Sequence, residues 1–166
     1  LPFLAAPMTG LYLPHVHDLL VKPALAALPD GLNSLSAQQG VLGIGLKESG
    51  YTYLRQLGTG PALGFWQMEP ATHDDLWRNF IRYRPELQIA LSRLLNGTAP
   101  TAQALVTNPL YAAAMCRVHL LRQTDPLPAA NDAAAWAAYW KQHYNTPGGA
   151  GVAAQAVPLF RAAMEA

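Results

Sequence analysis

Leucines, alanines and aromatic residues recur at three- and four-residue spacing through most of the chain, while alternating β-branched runs are scarce. That period lines apolar side chains along one face of a helix, so the pattern predicts a mainly α protein. A first helix is expected to open at Pro14, which a helix start tolerates. It runs through Leu19, Leu20 and Leu25 to about Leu28, before Pro29-Asp30-Gly31. A second carries Val41, Leu42, Ile44 and Leu46 toward Glu48 and ends at Gly50, with Ser36 and Gln39 reading as its capping box. Thr72, with Asp75 three residues on, reads as the cap of a helix through Leu76, Trp77, Phe80 and Ile81 that stops before Pro85. Further helices are expected over about 86–95, 101–106, 109–123, 131–144 and 152–165, separated by Asn96-Gly97, Asp125-Pro126 and Pro147-Gly148-Gly149.

One region breaks the helical period. From Tyr51 to Met68 the chain is Gly-rich and aromatic, which suits a short irregular β-hairpin. Gly40, Gly43 and Gly45 interrupt the preceding helix instead of opening one, and no strand comes before them, so they read as close-packing sites and not as a phosphate loop. Trp77, Trp136 and Trp140 recur at helical positions and read as core.

Composition narrows the class. With 166 residues, 51% apolar and 13% charged, the chain is expected to fold as one domain over 1–166. A net charge of +1 supplies no field to gather nucleic acid. Cys116, the sole cysteine, excludes an intramolecular disulfide and a thiolate zinc site, and reads as a small buried hydrophobe. His15 and His17, two apart, do not share a helix face, so no metal and no cofactor are expected. No apolar run reaches the roughly 18 residues of a membrane span. Leu1-Pro2-Phe3-Leu4-Ala5-Ala6-Pro7 lacks the basic start and long apolar core of a secretory signal, which leaves the delivery route open.

The candidate chemistry centres on Glu48. A glutamate at the end of an apolar helix, just ahead of an aromatic loop, sits where burial would keep it protonated near neutral pH. Glycosidic cleavage needs such a carboxyl to deliver a proton to a poor leaving oxygen. On position alone, a solvated helix-end charge is an equal reading of Glu48.

Glu48-Ser49-Gly50 followed by Gly64-Phe65-Trp66-Gln67 resembles the goose-type lysozyme and soluble lytic transglycosylase superfamily, whose members pair a Glu-Ser helix end with a Gly-Leu-Met-Gln-type strand. Asn108-Pro109, opening a helix that closes in Val118-His119-Leu120, is similar to a third family segment. The Asn, Gly and Tyr usual there would fall at Ala112, Cys116 and His119, so those contacts are missing or replaced. Tyr144-Asn145 resembles the Tyr-Asn-x-Gly turn that sets a tyrosine beside the acid, with altered spacing. The resemblance runs from about residue 36 to 150; residues 1–35 form a helical extension of unassigned role.

The resemblance implies a lysozyme-like helical domain with a small β-hairpin insertion beside the cleft. It implies a muramidase in which Glu48 protonates the oxygen of the β-1,4 bond between N-acetylmuramic acid and N-acetylglucosamine. Gln67 and Tyr144 then line the cleft, and Ser49, Tyr53, Trp66, His73 and Asn145 complete the expected substrate-binding set. Rings at Tyr51, Tyr53 and Trp66 could stack on sugars, and Arg55 and Gln56 lie between the motifs. Glu69 stands where goose-type hydrolases carry a second acid, as an inverting base roughly 6.5–9.5 Å from the first. Hydrolysis is therefore favoured over closure of a 1,6-anhydro ring. Asp74 and Asp75 are lesser candidates, since acids favour the first turn of a helix in any case.

The expected partner is peptidoglycan, met by a monomer on the periplasmic or extracellular side of a bacterium, with no nucleic acid and no stable membrane insertion. A phage lysin or virion-borne enzyme would fit. A non-catalytic glycan-binding or virion structural module, suggested by Ala112 and His119, is the reading from another class, and chitin or chitosan are related polymers.

Overall fold

A computed structural model describes residues 10–145 and 148–166; the opening Leu1-to-Pro7 segment and Pro147 lie outside the described residues. The protein is mainly α-helical. Helix α1 runs from Leu13–Val16 through a π-helical turn, His17–Val21, into Lys22–Ala26. It is followed by α2 (Leu35–Ser49), α3 (Pro70–Asn79), a 3-10 turn (Ile81–Tyr83), α4 (Pro85–Leu95) and the short α5 (Ala104–Thr107). Then come α6 (Pro109–Leu121), α7 (Ala133–Trp140, widening into a π turn over Lys141–Asn145) and α8 (Ala153–Glu165).

Helix α6 is the hub. Tyr111 through Val118 are all buried, so no polar face is left to point at water, and α1, α2, α4 and α5 pack around it. Its first turn is held by Asn108, whose Oδ1 accepts from Tyr111 N at 3.0 Å, with Pro109 at the position where a missing N–H costs nothing.

The glycines of α2 are close-packing sites, as the pattern predicts. A Cβ on Gly40 would overlap the Trp136 ring, one on Gly43 the Phe160 ring, and one on Gly45 the Tyr51 ring. Rings from α7, α8 and the following loop thus sit against bare α2 backbone. Trp136 and Phe160 are themselves stacked, with centroids 6.2 Å apart and planes 14° from parallel.

Two helix starts and the hairpin differ from expectation. The cap of α2 is Ser34, which accepts from Ala37 N at 3.1 Å. Ser36 instead donates to Pro128 O and accepts from Trp136 Nε1, and Gln39 exchanges two hydrogen bonds with Asn131, so both expected capping-box residues tie α2 to the segment before α7. Helix α3 opens at Pro70, not at Thr72, because proline presets the helical φ and has no N–H to satisfy.

Between Tyr51 and Met68 no strand forms. Arg55 bridges Leu63, and Leu63 bridges Met68, as two isolated antiparallel contacts. Left-handed backbone at Gly64 and Gln67 turns the chain too sharply to extend a ladder. The buried apolar side chains of the helices and of this loop form one core cluster. Among the described residues no helix is long and apolar enough to cross a membrane.

Candidate functional site

Glu48 stands one residue from the end of α2. Gly50 closes the helix in the left-handed conformation, its N–H bonded to Leu46 O, and Tyr51 repeats a positive φ. These two residues reverse the chain so that the loop returns across the helix end. Ser49 fixes that return: its Oγ donates to Phe65 O at 2.7 Å and accepts from Tyr51 N at 3.1 Å. Tyr53 Oη donates to the backbone oxygen of Glu48 at 2.8 Å. Both are structural ties behind the carboxyl, and neither lines the cleft.

The loop then makes a tight turn. Leu63 and Met68 exchange backbone hydrogen bonds of 2.9 and 3.1 Å around Gly64-Phe65-Trp66-Gln67, and Gln67 Nε2 donates to Gly64 O at 2.9 Å. The turn presents Gln67, Met68 and Glu69 to a cleft of about 400 Å³, whose other walls are Glu48, Gln56, Ala62, Thr72, His119, Tyr144 and Asn145. Five of the expected residues, Glu48, Gln67, Glu69, Tyr144 and Asn145, therefore share one cleft although three separate segments supply them.

Trp66 and His73 are elsewhere. Trp66 is 1% exposed, donates through Nε1 to Val41 O at 2.8 Å, and meets Tyr51 and Phe65 edge-on, so it has no ring face open to a sugar. Its apolar bulk belongs to the core that holds the turn against α2. His73 is fully buried, with Nδ1 donating to Asp74 Oδ1 at 2.9 Å and Nε2 accepting from Tyr111 Oη at 2.7 Å. Trp77 Nε1 donates to the same hydroxyl. That chain of bonds joins α3 to α6. Asp75 pairs with Arg122 and accepts from Asn79 Nδ2; first that amide and then the guanidinium hold its carboxyl below the usual range. Asp74 and Asp75 do not line the cleft.

The electrostatics of Glu48 favour the protonated form. Burial raises its carboxyl above the ordinary glutamate range, while the Trp140 indole N–H and then the Lys47 ammonium pull it partway back. Trp140 Nε1 lies 2.8 Å from Glu48 Oε1, and the Lys47 ammonium sits 5.3 Å from the centre of the Trp140 ring. Glu69, by contrast, is exposed at the cleft rim, in extended backbone before Pro70, and makes no side-chain cap bond to α3.

Tyr144 is placed by the π turn that ends α7. Its hydroxyl donates to Trp66 O at 2.5 Å, and burial pushes its phenol well above the usual range, so it is a neutral donor. Asn145 is held by Lys141, whose ammonium donates to Asn145 Oδ1 and to Gly149 O. Cys116, beneath the cleft, is fully buried, and burial raises its thiol so that it stays un-ionised.

Two residues of the site were not legible as chemistry. Trp140 reads in sequence as core, although it lies one turn before Tyr144, a spacing that puts both on one face. His119 packs edge-on to Tyr144, with centroids 5.3 Å apart; its Nδ1 is buried without a hydrogen-bond partner among the described residues, and burial pushes the imidazole down to about 4.

A carboxyl raised above its ordinary range at an open cleft, faced by an amide, a phenol and a second acidic side chain at the rim, is equipped, when protonated, to transfer a proton to an ether or acetal oxygen. Comparison with protein-family models, curated proteins and solved structures returned no match.

Proposed function

We propose that this protein is a peptidoglycan-cleaving glycosidase with a lysozyme-like fold, cutting the β-1,4 bond between N-acetylmuramic acid and N-acetylglucosamine with Glu48 as general acid. The observation that carries the reading is the meeting of Glu48, Gln67, Glu69, Tyr144 and Asn145 around one cleft, with burial raising the Glu48 carboxyl above the ordinary glutamate range. These are the segments on which the resemblance to goose-type lysozymes and lytic transglycosylases rests.

In this reading Glu48 gives its proton to the leaving oxygen as positive charge builds on the muramyl ring. Glu69 then accepts a proton from water attacking the opposite face, and the anomeric centre inverts. Gln67 and Asn145 hold sugar substituents. The protein works as a monomer on the outer side of the bacterial membrane, without a cofactor.

Anhydro-ring formation is the second reading, because Glu69 is exposed at the rim and its side chain makes no cap bond to α3 that would orient it. Mass spectrometry of digested peptidoglycan separates the two. Reducing muropeptides, with a steep loss in Glu69→Gln, are expected for hydrolysis; 1,6-anhydro products, insensitive to Glu69→Gln, would replace that branch. Glu48→Gln is expected to lower turnover roughly a hundredfold or more in either case. Peptidoglycan left uncut by wild type and Glu48→Gln alike would end the enzyme reading.

A further inference from the structure

Glu48 is gripped from one side only. Trp140, 1% exposed in α7, donates from Nε1 to Oε1 of the carboxyl at 2.8 Å. The indole is packed on both sides: its ring edge lies so close to Gly151 that a Cβ there would overlap it, and the Lys47 ammonium lies 5.3 Å from its ring centre. An indole nitrogen is a donor only, so the oxygen it meets must be an acceptor. In a protonated carboxyl the carbonyl oxygen is the better acceptor, which assigns Oε1 as the carbonyl and leaves Oε2 to carry the hydrogen. Among the described residues the Trp140 N–H is the one hydrogen-bond donor to the carboxyl and meets Oε1, and Glu48 lines the cleft.

We propose that Trp140 is a positioning residue that fixes which oxygen of Glu48 carries the transferable proton, holding Oε1 so that Oε2 is the atom presented to the glycosidic oxygen. The catalytic consequence rests on the glycosidase reading; the pairing itself does not. The arrangement gives directionality at small cost, since an aromatic N–H neither takes the proton nor competes to deliver it. The other ionisable groups felt by, or feeling, Glu48 are Lys47 beside it on α2, Cys116 on α6 and Tyr144 in the π turn. The hydrogen bond to the carboxyl comes from Trp140.

The test uses the full chain with glutamate labelled at the carboxyl carbon and tryptophan at the indole nitrogen, followed by NMR across pH; Glu48→Gln identifies the Glu48 signal. In wild type the Trp140 indole resonance should titrate with the same midpoint as the Glu48 carboxyl. In Trp140→Phe, which keeps a ring and removes the N–H, the Glu48 midpoint should move up, because the ionised form has lost its donor. The alkaline limb of the activity profile should move the same way, with kcat down roughly tenfold or more and KM little changed.

Should Trp140→Phe fail to fold, benzothienylalanine at 140 keeps the indole outline with sulfur for N–H and takes its place; the wild-type titration stands regardless. An indole resonance blind to Glu48, or an unmoved or lowered Glu48 midpoint in a folded variant, overturns the proposal even if activity falls. Coincident titration in a protein that cuts no peptidoglycan would keep the pairing and remove the glycosidase reading.

Discussion

His119 is the residue whose environment most plainly works against it. Burial, with Arg122 nearby, holds its imidazole at about 4, well below the ordinary histidine value. The unfolded chain therefore takes up this proton first as pH falls. The penalty is absent above about pH 6.5, grows as pH drops toward 4, and amounts to roughly 3 kcal/mol when complete. His119→Gln, a neutral side chain of similar reach, should abolish that part of the acid sensitivity. Urea unfolding at pH 7, 5 and 4 checks it: wild type should lose stability more steeply than the variant, and parallel losses would show that the imidazole is not the cause.

At this scale the sequence was informative for Glu48 and Tyr144, whose neighbours in the chain constrain them. It misled for Trp66, because a tryptophan beside a cleft motif has the same local pattern whether its ring faces sugar or core. It was silent on Trp140, whose role depends on a carboxyl far away in the chain.

Among the elements, helix ends were easier to read than helix starts. Gly50 and Asn96 stop α2 and α4 in the left-handed conformation that few other residues adopt readily. Starts offered rival hydroxyls and prolines, and tertiary partners chose between them, as when Trp136 and Pro128 claim Ser36 and leave the cap to Ser34. Between Tyr51 and Met68 the antiparallel bridges occur singly, so no strand extends from them.

The glycine notches of α2 make a sharper prediction. Helix propensity alone says that Gly43→Ala should stabilise by about 1 kcal/mol. The added methyl, however, would overlap Phe160, which is fully buried and stacked on Trp136 with no room to retreat. Gly43→Ala should instead destabilise, by about 2 kcal/mol. A denaturation midpoint that rises would mean that the notch yields.

On the scale of the molecule, the cleft is a meeting of distant segments. Glu48 comes from α2, the Gln67 turn from the following loop, His119 from α6, and Tyr144 and Asn145 from the end of α7. Helix α8 reaches none of the cleft walls, yet it packs on both α2 and α7 and so holds together the pair that joins Glu48 to Trp140. No local pattern could have announced this. A chain cut before α8 should lose hydrogen-exchange protection along α2, although α2 itself is intact; retained protection would show that α8 is dispensable.

The notches also set a clock. Gly40 and Gly43 leave the ribosome long before Trp136 and Phe160, the rings that fill them. Until those rings arrive, α2 has bare backbone where its packing partners belong, and the carboxyl at its end has no indole to hold it. A nascent chain thus carries Glu48 without its indole partner, and the cleft takes its final shape only after α8 has been synthesised.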